Sequence, residues 1–199
     1  MAAALLAGVA ALAALGAWPE VAAQAHTEGL HIIEAEWQVQ PASGFSAAPP
    51  TLDSKALPAA WQAVPLPHAP PISLLRQAAA AAPGATRTSW FRISSQGLPA
   101  TPSPLALYGA RVRTDGTIAV YADGQLVHAA QQQGPLWNSS RVPLWVLLDK
   151  TADGTPPREI LIRLEHTRAT QVALSSLWIL ATYYAAQLLI VHNARRPGT

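Results

Sequence analysis

The residues best equipped for chemistry in this 199-residue chain are two small groups, each built around an indole. Trp90 and Arg92, two apart in Trp90-Phe91-Arg92, fall on one face of a strand. An indole beside a guanidinium can stack on a sugar ring and hold its oxygens or an anion. A packing role competes, in which Trp90 is core and Arg92 pairs with a carboxylate or with carbonyls. Trp137 and Asn138 follow the polar run Gln131-Gln132-Gln133-Gly134-Pro135, and Arg141 comes soon after. Loops on a rigid scaffold often carry binding groups. Asn138 donates and accepts, Trp137 offers a flat apolar face and Arg141 a charge, although loop anchoring explains them as well. Trp90, Arg92, Trp137, Asn138 and Arg141 are therefore the candidate ligand contacts.

Catalysis has less to stand on. Glu34 and Glu36 share a strand face, the arrangement of an acid–base pair, but the solvated face of a strand is the expected reading. His31, His68, His128 and His166 show no H-x-H or H-x-x-x-H spacing, so no metal site is expected. There is no G-x-S-x-G elbow and no glycine-rich phosphate loop. Neither a catalytic residue nor a cofactor is expected. Zero cysteines exclude a disulfide framework and thiolate metal sites. Charged residues are only 12% and the net charge is +2. Apart from Arg111/Arg113 and Arg195-Arg196 the cations are scattered, without the basic stripe that nucleic acid requires.

The elements that must position these groups read as short strands. Eighteen prolines argue against an all-helical chain. Ile33, Ala35, Trp37 and Val39 alternate with Glu34, Glu36, Gln38 and Gln40, predicting a strand with one buried and one solvated face. Residues 41–71, rich in Pro, Ala and Ser, read as a long surface connection, and 74–82 as a short helix. Strands are predicted at 89–94, 105–113, 117–122, 125–129, 142–148 (apolar on both faces) and 159–166. Asp115-Gly116 and Asp123-Gly124 between such runs are hairpin signals, because a type I′ turn needs positive φ. The sum is an all-β protein, a jelly-roll β-sandwich spanning residues 26–180.

Both ends suggest export. Residues 5–15 have the length and composition of a signal h-region, and Ala23-Gln24-Ala25 is a cleavage pattern, so 1–25 read as a signal peptide even though no Lys or Arg precedes Leu5. Residues 172–191 contain no charge. One reading is a membrane span followed by Arg195-Arg196. The preferred one is a closing strand near 174–180, then a juxtamembrane-type helix and tail over 181–199. A periplasmic, membrane-adjacent location follows.

The order of motifs adds a family. Trp61…Leu66-Pro67, Trp90-Phe91-Arg92, the run from Ala119 to Val127 through Asp123-Gly124, Trp137-Asn138, Glu159-Ile160-Leu161-Ile162-Arg163-Leu164 and Leu174…Trp178 succeed one another. This succession resembles the extracytoplasmic N-terminal sensor domain of bacterial membrane-bound histidine kinases. That domain is a galactose-binding-like jelly roll similar to the sugar-binding domain of family 2 glycoside hydrolases. Asp123 replaces the usual Asn, Arg141 and Pro143 do not follow Asn138 directly, and every kinase element is missing. The resemblance implies a non-enzymatic ligand-sensing or interaction module of a two-component system. A carbohydrate-binding or lectin-like module is the alternative. Its ligand would be a small molecule, a sugar or a protein, with self-association open and nucleic acid not expected.

Overall fold

The computed structural model describes residues 29–70, 86–96, 105–130, 137–138, 143–148, 155–167 and 172–181. The expected signal peptide, the expected helix at 74–82 and the C-terminal segment after Ala181 lie outside them. In chain order the strands are β1 Gly29–Ile32, β2 Glu34–Ala42, β3 Gln62–Pro65, β4 Thr86–Ser94, β5 Leu105–Gly109, β6 Val112–Thr114 and β7 Ile118–Ala122. They continue as β8 Gln125–Ala130, β9 Trp137–Asn138, β10 Leu144–Leu148, β11 Glu159–His166, β12 Ala173–Leu174 and β13 Leu177–Ala181. A single 3-10 turn, Ser54–Ala56, is the helical element among the described residues. No helix among them is long and apolar enough to cross a membrane.

All pairings are antiparallel, in a four-stranded sheet ordered β1-β13-β5-β10, a six-stranded sheet ordered β3-β2-β4-β11-β7-β8, and a small sheet ordered β12-β6-β9. The two large sheets share one core, so the protein is an all-β antiparallel sandwich. Period-two alternation supplies the inner faces. Phe91 and Ile93 from β4, Ile160, Ile162 and Leu164 from β11, and Ile118 and Val120 from β7 meet Leu105, Leu107, Val146, Leu177 and Ile179 of the opposite sheet. Ile162 lies opposite both Phe91 and Val120.

Asp123-Gly124 makes the expected hairpin between β7 and β8, with φ of 46° and 80°. The Asp123 carboxylate accepts from the Arg158 and Glu159 amides at 2.9 Å. A Cβ at Gly124 would come within 2.5 Å of the Leu52 carbonyl oxygen, so this backbone approach needs glycine as well as the turn.

Five expectations need correction. Asp115-Gly116 is not a hairpin: β6 belongs to the small sheet and β7 to the six-stranded one, so the chain changes sheets there. The Asp115 carboxylate instead accepts from the Thr167 amide at 2.9 Å. The run 105–113 divides at Ala110 and Arg111 into β5 and β6. The run 174–180 divides at Ser175 and Ser176, where the Arg111 amide donates to the Ser175 hydroxyl at 3.2 Å. The segment 142–148, read as apolar on both faces, is an edge strand with Leu147 54% exposed. Residues 41–71 are more than a surface connection: they contribute β3, and residues 46–61 lie against the outer face of the six-stranded sheet, as described below.

Candidate functional site

The outer face of the six-stranded sheet is built from Glu34, Glu36 and Gln38 of β2, Trp90 and Arg92 of β4, Leu161, Arg163 and Glu165 of β11, and Ala119 and Tyr121 of β7. Register places Gln38, Trp90, Arg163 and Ala119 in one row, with Glu36, Arg92, Leu161 and Tyr121 in the next. Trp90 and Arg92 therefore do share a face, but they have different surroundings. Trp90 is 5% exposed and packs with Ala119, Tyr121 and Leu161 under Ala48, Leu52, Leu57 and Trp61. Its indole faces a second small core and is not offered to solvent. Arg92 stays at the rim: its Nε donates to Glu36 at 2.6 Å and its guanidinium sits 4.4 Å from the centre of the Trp61 ring.

The segment over Trp90 is held by polar anchors. The Ser46 amide and hydroxyl each donate to the Glu165 carboxylate at 3.1 Å. Arg163 donates to the Ser46 hydroxyl at 2.5 Å and forms a buried ion pair with Glu165. The Leu52 amide donates to the Gly124 carbonyl at 2.8 Å and the Leu126 amide to that of Pro50 at 3.0 Å. Beneath this cover the Tyr121 phenol is pushed above its ordinary pKa, first by burial and further by Glu165, against the opposing pull of Arg163. Gln38, expected on the solvated face, lies opposite Trp90 in the same row and is 3% exposed.

Trp137 and Asn138 pair as β9 with Thr114 and Arg113 of β6. Arg141 lies outside the described residues. The structure thus brings Trp90 and Arg92 to one face and sets Trp137 and Asn138 in the small sheet.

What Arg92 does border is an open cleft of about 550 Å³ at the corner where β1 of one sheet turns into β2 of the other. The turn falls at Ile33, 55% exposed, whose carbonyl accepts from the Leu66 amide at 2.7 Å. Glu34, Glu36, Arg92, Ser94 and Gln96 give the cleft a polar side, and His31 with Ile33 an apolar one. The His31 ring is stacked on Trp178 at 4.1 Å with 10° between the planes. One ring face is thereby backed by an indole, while the His31 residue remains exposed at the cleft. Among the described residues the Glu34 carboxylate accepts no hydrogen bond and the Arg92 side chain donates only through Nε, leaving a carboxylate and two Nη groups available. No group of His, Cys, Asp and Glu able to hold a metal ion occurs among the described residues.

Sequence reasoning missed His31, Glu34 and Gln96 as neighbours of Arg92, and missed the stacking of His31 on Trp178. Positions 31 and 178 meet only through the pairing of β1 with β13, which no local pattern announces.

No family model matches the chain, and no curated protein matches it. Among solved structures it is similar to the β-glucuronidase of Ruminococcus gnavus. The complex with D-glucaro-d-lactam shows 12% identity and a TM-score of 0.49 over 77% of this chain and 29% of that one. The apo enzyme shows 11% identity and a TM-score of 0.46 over the same shares. The chain spans less than a third of the length of these enzymes. They are glycoside hydrolase chains, and a sensor kinase domain is not shown by them.

Proposed function

We propose that the protein is a non-catalytic carbohydrate-binding module of galactose-binding-like jelly-roll form, with the β1–β2 corner cleft as its sugar site. The observation that carries this reading is the pairing, in one cleft, of an aromatic wall with hydrogen-bonding groups of both kinds. A pyranose has C–H groups that pack on a ring face and a rim of hydroxyls that both donate and accept. Glu34 accepts from hydroxyls, Arg92 Nη and Gln96 donate to them, and His31 backed by Trp178 packs on the ring. Two carboxylates against one guanidinium leave the cleft formally negative, which suits a neutral sugar and disfavours a uronate.

The sensor reading uses the same binding surface and adds a periplasmic setting and transmission to a membrane partner. Its support is the succession of motifs from Trp61 to Trp178. Fusing the domain to a kinase and finding sugar-dependent output would support that addition.

The binding reading is tested by calorimetry of the full chain against neutral oligosaccharides and oligogalacturonates. Losing a hydrogen bond to a charged group is worth about 1.5–3 kcal/mol. Glu34→Gln should therefore weaken neutral-sugar binding at least about tenfold while the denaturation midpoint holds, and His31→Ala, which removes the ring face and its stacked pair with Trp178, should weaken binding with a small loss of stability of about 0.2–1 kcal/mol. Binding unchanged in both variants would refute the site.

A further inference from the structure

The register of the four-stranded sheet places His31, Trp178, Tyr108 and Trp145 opposite one another on four successive strands, β1, β13, β5 and β10. Their chain neighbours Ile32, Leu107, Val146 and Ile179 turn into the core, so the four rings stand on the outer face. His31 is exposed and the other three are half-buried. Strands lie about 4.8 Å apart, so three steps make a row about 14 Å long. The row contains no carboxylate, lysine or arginine, and on β10 the next outward residue is Leu147, 54% exposed. The rings form a ribbed surface, not a flat floor: His31 and Trp178 are stacked, and Tyr108 meets Trp145 edge to face at 6.0 Å. Gly29, on the same face of β1, keeps the surface low; a Cβ there would lie 2.8 Å from the Leu180 side chain and 3.7 Å from the Trp178 ring.

Cross-strand aromatic pairs stabilise a sheet by themselves. Such pairs would do so anywhere on the face. What gives this row a further meaning is where it ends. Its first member, His31, also lines the corner cleft, so the row of uncharged rings starts at the apolar side of the cleft.

We infer that the row is an extension of the cleft that binds the following units of a neutral oligosaccharide, laid across the strands with its end unit in the cleft. This inference rests on the cleft being the sugar site. Recognition divides in two. Glu34, Arg92 and Gln96 fix the hydroxyls of the end unit. Trp178, Tyr108 and Trp145 add apolar contact that grows with each further unit and reads no particular hydroxyl pattern. Chain length would therefore govern affinity, and end-unit stereochemistry would govern selectivity.

The test is a length series of neutral oligosaccharides, from disaccharide upward, titrated into the full chain and into Trp145→Ala. Trp145 is the ring farthest from His31 and sits on an edge strand, so its truncation leaves the cleft intact. In the parent chain affinity should rise with length. In Trp145→Ala the longest member should bind at least about fivefold more weakly, with the disaccharide unchanged. If affinity is flat with length, or Trp145→Ala weakens every member equally, the extension is refuted while the cleft survives. If no saccharide binds, both readings fall. If, in addition, the chain sediments as a dimer that Trp145→Ala dissociates, the row is a face for a second copy.

Discussion

On the six-stranded sheet, Trp90 and Tyr121 lie at 5% and 0% exposure beneath residues 46–61; on the four-stranded sheet, Trp178, Tyr108 and Trp145 stand half-exposed. Side chains of the same kind, on outward positions of the same sandwich, are closed over in one place and left half-exposed in the other. The difference is in the polar groups beside them. Arg163 and Glu165 give the covering segment a charged anchor, and Ser46 satisfies both. The β7–β8 hairpin adds backbone bonds to Pro50 and Leu52. Among the described residues the aromatic row has no such anchor. An aromatic residue on an outer face is thus part of a second core where the chain supplies its own cover, and where it does not the ring is left for the contact inferred above.

That contrast breaks most readily at Glu165. A buried ion pair adds little net stability, but removing one partner leaves an uncompensated charge and costs about 3–5 kcal/mol. Glu165→Ala strands Arg163, which is 6% exposed, and removes the acceptor for the Ser46 amide and hydroxyl. Chemical denaturation should show a loss of that size, while tryptophan fluorescence of the native state reports a wetter Trp90. An unchanged midpoint would mean that residues 46–61 are not held by this pair. Under conditions where the variant is folded, binding at the corner cleft should persist, because Glu34, Gln96 and His31 lie outside this network.

The two faces were unequally legible in the sequence. Strand β11 agrees with its predicted bounds residue for residue, since Ile160, Ile162 and Leu164 recur at every second position and all three are fully buried. Asp123-Gly124 was equally readable, because positive φ at two successive positions is a demand few residues meet. Gln38 is the opposite case: its alternation with Trp37 and Val39 says which face it takes, and nothing local says that a segment beginning eight positions later returns to that face. For the same reason Trp90 and Trp178 look alike in sequence. Whether an indole on an outward position is core or contact depends on long-range pairing, as does the meeting of His31 with Arg92 at one cleft.

Gln38 offers a smaller test of the same contrast, with the opposite sign. Its amide nitrogen and oxygen are buried without a hydrogen-bond partner among the described residues, beside the Trp90 row. A buried unsatisfied polar group costs about 1–3 kcal/mol, and an apolar side chain of similar shape escapes that cost. Gln38→Met should therefore raise unfolding free energy by about 1 kcal/mol if the covered face is as dry as its packing indicates. A loss of stability would show that the amide is satisfied and that the cover admits solvent.

The smallest effect is a pH dependence confined to the covered face. Burial, and then Glu165, raise the Tyr121 pKa above 10.0, with Arg163 opposing. A group whose pKa is higher in the folded state binds its proton more tightly there than in the unfolded chain. Its contribution is complete below the unfolded value near 10 and is lost as pH rises through the folded value. Urea midpoints should accordingly fall on raising pH through that window, and part of the fall should vanish in Tyr121→Phe. The Tyr121 hydroxyl has no hydrogen-bond partner among the described residues, so the phenylalanine variant should lose nothing at neutral pH. If the alkaline slope is identical in parent and variant, the phenol ionises as freely folded as unfolded. Residues 46–61 would then open on the timescale of the titration, and the contrast between a closed face and an open one would reduce to a difference in how long each stays covered.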